Sequence, residues 1–444
     1  MSRFTRRRFV GLTAGGLTAL ALPAGGTRPD AVAGAIATIV LGDVEGVLAR
    51  ATALLKAGLR PTELLSALFH APFVHASDRG DVHMIMVIDA LRRLTAPPVR
   101  RSDRLISLLW AAENTCTWTR KDPIEPLRRG AAPPLVDALA ARDPDAAERS
   151  ALAALTVVGV DGVGRALTLA SAAVGADPHR AIFVAQCLRS LRVFGHDYAP
   201  FVVRSMARRL ATSEASPPPE SALTLPAGWT QAPPDPAALP ALLEALRSPG
   251  AAPVEVFADL LASGVGPSTA WDALSLLAVD GALADAAPTG MGVHGLSLLD
   301  ALRFAWDDSP NDVSRWRVLR GAAHWMVDLW SALPPGPSVL QIAPPAADLP
   351  RDAPFAPGSR LERLTRGRVV AGLPGFAARA RERICASAAN AHDFKAASAL
   401  IALAESSSGA VRRTLKAGLA LSPALVSPDA WPRRDEARRL VATL

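Results

Sequence analysis

Apolar side chains recur along most of this chain at the three- and four-residue spacing of one face of an α-helix. The stretch 177–194 is typical: Asp177 can cap a helix, Pro178 suits its first turn, and apolar residues follow at 182, 183, 187, 191 and 194. No segment alternates polar and apolar residues in the manner of a half-buried strand. The pattern therefore predicts an all-α protein, a multi-helix array of antiparallel helical pairs, of which a solenoid would be one form.

Proline and glycine divide this pattern into separate predicted helices. Those before residue 214 are 43–57, 62–69, 82–94, 102–118, 134–141, 146–158, 162–174, 177–194 and 199–212. Those after it are 238–247, 254–263, 268–284, 292–306, 313–332, 376–388, 393–405, 410–421 and 435–443.

Two proline-rich stretches interrupt the series of helices, because proline removes a backbone donor and clashes with the preceding turn. The first, 214–239, reads as a surface linker or as an excursion across the fold, and the second, 334–358, as a loop. They predict an N-terminal helical region at 34–213, a second at 240–333 and a C-terminal set of helices at 359–444.

The N-terminus carries the stretch Thr5-Arg6-Arg7-Arg8-Phe9-Val10, followed by an apolar run broken by glycines. This run is too short and too rich in glycine for a good membrane span. It resembles a twin-arginine export signal, which we assign to residues 1–33, with cleavage after Ala31-Val32-Ala33 or, as a competing site, after Leu22-Pro23-Ala24. The resemblance implies that the twin-arginine translocase exports the protein to the periplasm or cell envelope, with no stable membrane span in the mature chain.

Charge gives little support to a nucleic-acid partner. The formal net charge is +7, but five of the 48 basic residues and one of the 41 acidic residues lie in residues 1–33, so the remainder is nearly neutral.

The three cysteines are far apart and odd in number, and no CxxC pair occurs, which argues against a disulfide framework and a thiolate zinc site. We predict that they are small buried hydrophobic residues.

Histidines are the best candidates for chemistry. Five of the eight fall within or at the start of apolar predicted helices: His70, His83, His179, His294 and His324. A buried neutral imidazole needs partners for its ring nitrogens, and imidazole is a common ligand of zinc, iron and copper. No HExxH or ExxH motif occurs, so metal ligands would have to converge from separate helices.

Other chemistry lacks a signal in this sequence. No glycine-rich loop follows a strand and no GxSxG occurs, so nucleotide binding and serine hydrolysis have no motif. Three acids close to the histidines or apolar runs are predicted to be surface or capping residues: Asp89, Glu113 and Asp300.

Short blocks spread over residues 60–400 resemble an uncharacterised family of exported bacterial proteins. They are Leu64 to Phe69, Val82 to Val87, His179 to Ala185, Val293-His294-Gly295 with Asp300-Ala301-Leu302, and His392-Asp393-Phe394-Lys395. More distantly, His179-x-x-Ile182 followed by His294 near Ala301-Leu302-Arg303 is similar to the questin oxidase-like family, helical proteins associated with oxidative ring cleavage of aromatic polyketides. The resemblance implies that His83, His179, His294 and His392 belong together and that the chemistry is oxidative.

We therefore expect an exported helical oxidoreductase or oxygenase that acts on a small organic substrate, such as an aromatic compound. The four histidines would bind iron, zinc or copper, and His196 and Tyr198 would lie close by as catalytic proton-transfer groups. An apolar pocket would be lined by Trp110, Phe183, Trp306 and Trp325. The alternative is a non-catalytic exported helical-repeat protein, a binding or scaffold protein whose histidines are satisfied core residues.

Overall fold

A computed structural model describes most of the chain from residue 27 to residue 444. It omits 41, 76–81, 120–125, 174, 176, 215–225, 249–252, 286–290, 335, 337, 342–348, 351, 388–389 and 423–430. The described residues form the helices Pro29–Val40 (α1), Val47–Lys56 (α2), Pro61–His75 (α3), Val82–Leu94 (α4), Arg101–Trp118 (α5), Leu135–Ala140 (α6), Pro144–Ser171 (α7), His179–Phe194 (α8), Ala199–Thr212 (α9), Leu239–Arg247 (α10), Pro253–Ala262 (α11), Pro267–Ala284 (α12), Met291–Asp307 (α13), Asp312–Ala332 (α14), Arg360–Val370 (α15), Phe376–Ser387 (α16), Ala391–Ser406 (α17), Gly409–Gly418 (α18) and Arg434–Val441 (α19).

The predicted all-α class is confirmed, since no strand occurs in the part of the chain that the structure describes. Several helices begin where a capping residue predicts. Asn390 accepts hydrogen bonds from the backbone amides of His392 and Asp393 at the start of α17, and Asn311 caps α14 by accepting one from Ser314. The predicted helix-to-helix turn near Gly159 is a kink within α7, where Gly159 has a φ of 69°.

The apolar pattern predicted neither α1 nor α15. Helix α15 has few apolar residues, and its signal is instead the capping box formed by Ser359 and Glu362, whose side chains each bond the other's backbone amide. Helix α1 overlaps the predicted export signal. Local periodicity missed both, because one is largely polar and the other was assigned to a segment removed from the mature protein.

The last residues of the predicted export signal belong to the folded protein, whereas residues 1–26 lie outside the described part. Val32 and Ile36 of α1 are buried, and Arg28 forms an ion pair of 2.8 Å with the fully buried carboxylate of Glu63. Cleavage after Ala33 would remove this partner of Glu63. Cleavage at the competing site, after Ala24, would keep this ion pair.

Four helices, α4, α8, α13 and α17, form a central bundle. Each contacts the next in the cyclic order α4, α8, α13, α17, and α17 closes the ring against α4. All four run in the same direction, because histidines in their first turns meet at one end, whereas Arg93, Arg189 and Asp300 meet further along and Glu405, near the end of α17, interacts electrostatically with Arg93. We call this set the parallel bundle. Helices α5–α7, α9–α12 and α14–α16 connect its successive members.

The two proline-rich stretches separate regions in sequence but not in space, since all three predicted regions contribute helices to the parallel bundle. The described end of the first stretch is an excursion across the fold. There Trp229 is buried, and its ring centroid lies 5.5 Å from that of Trp306 and 6.1 Å from that of Trp316. In the second stretch, Phe355 stacks on Phe376 at 5.7 Å.

Helix α7 is the one helix of the described chain that is long and apolar enough, by length and composition alone, to cross a membrane. Its kink at Gly159 divides it into two shorter segments. Such a helix is weak grounds for a membrane span, so the expected absence of one stays a prediction. The three cysteines are buried as predicted, and no disulfide joins them.

Candidate metal centre

Each helix of the parallel bundle carries one histidine in its first turn. His83 is the second residue of α4, His179 the first of α8, His294 the fourth of α13 and His392 the second of α17. Because the helices are parallel, the four imidazoles meet at one end of the bundle. The structure thus brings together the four residues that the sequence singled out as metal ligands.

The four imidazole rings form a closed cycle, each roughly edge-to-face with its two neighbours. Their centroids are separated by 4.8, 4.5, 5.2 and 5.5 Å in the order 83–179, 179–294, 294–392 and 392–83. The Nε2 atoms of His83 and His179 are 3.1 Å apart. One ring nitrogen from each of the set His83, His294 and His392 lies within 4.8 Å of the other two.

These separations are close to those of a metal centre. Two nitrogen ligands of a tetrahedral zinc ion, each about 2.0–2.1 Å from the metal, are about 3.4 Å from one another. The 3.1 Å contact between Nε2 of His83 and Nε2 of His179 is a hydrogen bond that a metal would replace, and the separations of up to 4.8 Å within the set of His83, His294 and His392 would have to shorten on metal binding. In the described residues, the group of potential ligands at this end contains histidines only.

His294 is the histidine of the cycle with the clearest need for a ligand. It is 6% exposed, and neither of its ring nitrogens has a hydrogen-bond partner within the described residues. Burial and the nearby charge of Lys395 lower its pKa to about 3, so the ring is neutral at neutral pH and offers a lone pair. A buried polar group without a partner costs about 1–3 kcal/mol, a cost that a bound metal would remove.

The backbone places His294 by close packing of the first turn of α13. A Cβ atom at Gly292 would lie 2.5 Å from the carbonyl oxygen of Gly281, and one at Gly295 would lie 2.8 Å from Leu329 Cδ2. Gly292 therefore allows the close approach of α13 to the backbone of α12, whereas a side chain at residue 295 would require Leu329 of α14 to shift. These contacts hold the His294 backbone against the outer helices while its ring points into the cycle.

A carboxylate fixes the orientation of His179. Nδ1 of His179 donates a hydrogen bond of 2.9 Å to Asp177 Oδ1, which also accepts the backbone amide of His179 at 3.0 Å, and Asp177 Oδ2 pairs with Arg209. Burial raises the pKa of Asp177, but the hydrogen bond from His179 and the charge of Arg209 outweigh it and lower the pKa to about 2. The proton of His179 is thus held on Nδ1, and the lone pair of its Nε2 accepts a hydrogen bond from Nε2 of His83. The sequence indicated Asp177 only as a helix cap.

Lys395 is a second residue at this end for which sequence reasoning offered no role. It lies one turn after His392 on α17 and is 1% exposed. Its positive charge contributes to the lowered pKa of His294, which places it within electrostatic range of the cycle. The feature of the sequence that could have identified Lys395 is its position in the block His392-Asp393-Phe394-Lys395.

The structure does not bring His196 and Tyr198 to the four histidines, and this corrects the expectation that they lie beside the metal centre. Both follow the last residue of α8, whereas His179 is its first, and a 16-residue helix is about 24 Å long. His196 is exposed, and the Tyr198 ring lies against His70 with centroids 4.6 Å apart. Proximity in sequence misled the prediction, because α8 carries the chain away from the site.

Three of the four residues predicted to line an apolar pocket border the histidine end. Phe183 lies one turn after His179, Trp110 packs on Phe394 with centroids 5.0 Å apart, and Trp325 packs against Gly295. Trp306 does not, because it is near the other end of α13 and packs against Trp229 and Trp271.

Asp89 and Asp300, which were predicted to be surface or capping acids, are instead buried and belong to a separate group within the bundle. Arg189 Nη1 lies 2.6 Å from Asp300 Oδ2, and Arg93 lies 3.4 Å from both Asp300 and Asp89. We call these four residues the buried ion cluster. Burial raises the pKa of Asp89, but the charges of Arg93, Arg92 and Arg189 lower it by more than burial raises it. The net pKa is below its usual value, and the carboxylate is ionised. Glu113 instead binds Trp431 and Arg433.

Comparison of the chain with protein-family models, with curated proteins and with solved structures finds no match. The functional argument therefore rests on the geometry of the four histidines and on the residues around them.

Proposed function

We propose that the protein is a metal-dependent oxidoreductase, specifically an oxygenase acting on a small organic substrate such as an aromatic compound. The observation that carries the proposal is the cycle of four imidazoles. One member of the cycle, His294, has two buried ring nitrogens that have no hydrogen-bond partner in the described residues. A core histidine is normally satisfied by hydrogen bonds, so this arrangement costs stability unless a ligand occupies it. A metal ion is the ligand that four converging imidazoles suit.

Four imidazole ligands suit iron, copper or zinc, and iron or copper would support oxidation. When bound, such an ion supplies electron transfer or Lewis acidity to a substrate at its open positions. The residues of the chain then have defined tasks. Asp177 holds the ring of His179 in the ligating tautomer, and Phe183 and Trp110 exclude water from the apolar side.

The helix N-termini oppose a cation at this site, but the opposition is small. Each helix end destabilises a nearby positive charge by about 0.3–1 kcal/mol, so four of them amount to at most about 4 kcal/mol. Histidine and cysteine ligands bind zinc in small domains with about 10–16 kcal/mol. Ligation by four imidazoles has to outweigh this field together with the charge of the buried Lys395.

The substrate class and the location of the protein follow from resemblance rather than from geometry. Similarity to the questin oxidase-like family supports oxidative chemistry on an aromatic compound. The resemblance of residues 5–10 to a twin-arginine signal supports export through that translocase to the periplasm or envelope, a route for proteins that fold before export.

We expect protein purified without an affinity tag to contain close to one equivalent of iron, copper or zinc. Elemental analysis of the wild type and of His179→Ala/His294→Ala measures this directly. The double variant should lose the metal, because two of the four ligands are gone, and His324→Ala, at a half-exposed position on α14, is the matched control that keeps it. Metal-free wild type, or full occupancy in the double variant, would favour the non-catalytic scaffold instead.

Replacing Asp177 by asparagine is expected to lower metal affinity by about 10–100-fold, the usual effect of losing the outer partner of a histidine ligand. The amide keeps an acceptor oxygen but loses the charge that fixes the His179 tautomer. Competition with a coloured chelator gives the affinity. Asp161→Asn, which changes an exposed carboxylate 3.8 Å from Arg192, should leave it unchanged. Equal metal affinity in the wild type and in Asp177→Asn would show that Asp177 does not contribute to metal binding.

A further inference from the structure

The parallel bundle directs four helix N-termini at one point. The aligned peptide dipoles of a helix place about half a positive charge at its N-terminus, and the effect is strongest within the first turn. All four histidines lie in that turn of their helices, so the partial charges of α4, α8, α13 and α17 converge on the cycle. In most four-helix bundles alternate helices run in opposite directions, and these contributions cancel.

The side chains around the cycle include one buried cation. Lys395 is buried within electrostatic range of His294. The nearest carboxylates among the described residues have partners of their own: Asp177 pairs with Arg209, and Asp393 accepts hydrogen bonds from Asn390 and Ser422. The set of candidate ligands in the described chain contains no carboxylate.

A second observation indicates that a ligand belongs at this point. His294 is more than nine-tenths buried, and its ring, whose nitrogens have no hydrogen-bond partner in the described residues, is turned into the cycle. A divalent ion held there by neutral imidazoles would keep its full charge. That charge and the four helix ends would act in the same direction on whatever occupies an open position of the ion.

We propose that the metal of this centre selects substrates that present an anionic oxygen, a carboxylate or the ionised oxygen of a phenol or enol, as the exchangeable ligand. The inference rests on the proposed metal site and names the class of substrate that the site takes. An anion gains from the ion, the helix ends and Lys395 together, whereas a neutral ligand of the same shape gains mainly from polarisation by the ion.

Cobalt(II) provides a test that does not depend on activity, because its visible absorption changes when an inner ligand is exchanged. Wild-type protein is loaded with one equivalent of cobalt(II) and titrated with benzoate and, as a neutral match, with benzamide. We expect benzoate to bind at least about ten-fold more tightly, since four helix ends at about 0.3 kcal/mol each supply this much and the charges of the ion and of Lys395 add to it. Lys395→Met should keep part of this preference, because the helix ends remain.

The outcomes separate the inference from the proposed function. If cobalt(II) binds at one equivalent and its spectrum responds equally to benzoate and benzamide, or to neither, the inference is wrong while the metal site stands. If Lys395→Met loses the preference altogether, the assignment to the helix ends is wrong. If cobalt(II) does not bind to the wild type, the proposed function fails and the inference fails with it.

Discussion

Replacing His294 by leucine is expected to stabilise the metal-free protein while abolishing stoichiometric metal binding. The leucine side chain fills a similar volume and removes a buried polar group that has no hydrogen-bond partner in the described residues, a gain of about 1–3 kcal/mol. Loss of a ligand should lower metal affinity by more than the about 100-fold that losing an outer partner costs. Urea unfolding of the metal-free protein and chelator competition measure the two effects.

His70→Leu is the matched control. His70 is 2% exposed, its Nδ1 has no hydrogen-bond partner in the described chain, and burial lowers its pKa to about 3, yet it lies against Phe194 and Tyr198, away from the cycle. This variant should also stabilise the protein, but metal binding should not change. The gain in stability of each leucine variant over the wild type should grow as the pH falls from about 6.5. In this range the histidine of the unfolded wild type is protonated, whereas the buried histidine of the folded wild type stays neutral, so the wild type loses stability and the variant does not. Destabilisation of metal-free His294→Leu would contradict the account of an unsatisfied ring.

Removing the carboxylate of Asp300 is expected to destabilise the protein by about 3–5 kcal/mol, the largest effect we predict for a single charge. Asp300→Ala leaves the guanidinium groups of Arg189 and Arg93 in the bundle, where their side chains are 11% and 19% exposed. The carboxylate of Asp89 alone would then face both. Urea unfolding of the wild type and the variant gives the difference in free energy.

Two further variants make this prediction specific to the buried ion cluster. Asp435→Ala, which removes an exposed carboxylate 3.3 Å from Arg438, should cost about 1 kcal/mol or less. Changing both Asp300→Leu and Arg189→Met should recover most of the stability lost in Asp300→Ala, because apolar residues of similar volume replace the pair. A cost of less than about 1 kcal/mol for Asp300→Ala would mean that solvent screens the cluster.

Sequence reasoning predicted helix bounds well where both helix ends carried a local signal. Helices α4 and α9 have the predicted bounds, Val82–Leu94 and Ala199–Thr212, because polar or proline residues flank a clear apolar face. The group of four histidines was named from short blocks that resemble a family. Periodicity could not have grouped them, since it describes one helix at a time.

The direction and the neighbours of each helix were beyond local patterns. Nothing in the sequence around Tyr198 indicates that its partner is His70, because that contact depends on how α3 packs beside α8 and α9. The buried ion cluster was missed for the same reason: Arg93, Arg189 and Asp300 each resemble a surface charge until their helices are placed side by side. Long-range packing determines both features.

The order of the bundle helices along the chain affects when the site can exist during synthesis. His83 is made early, whereas His392 lies in α17, near the end of the chain, so a nascent polypeptide holds an incomplete ligand set until almost all of it has left the ribosome. Intervening helices can fold as they emerge, but closing α17 against α4 is a late, long-range step. Loading of the proposed metal would therefore follow synthesis of α17, and truncated chains that lack α17 would leave the ribosome without the complete set of four histidines.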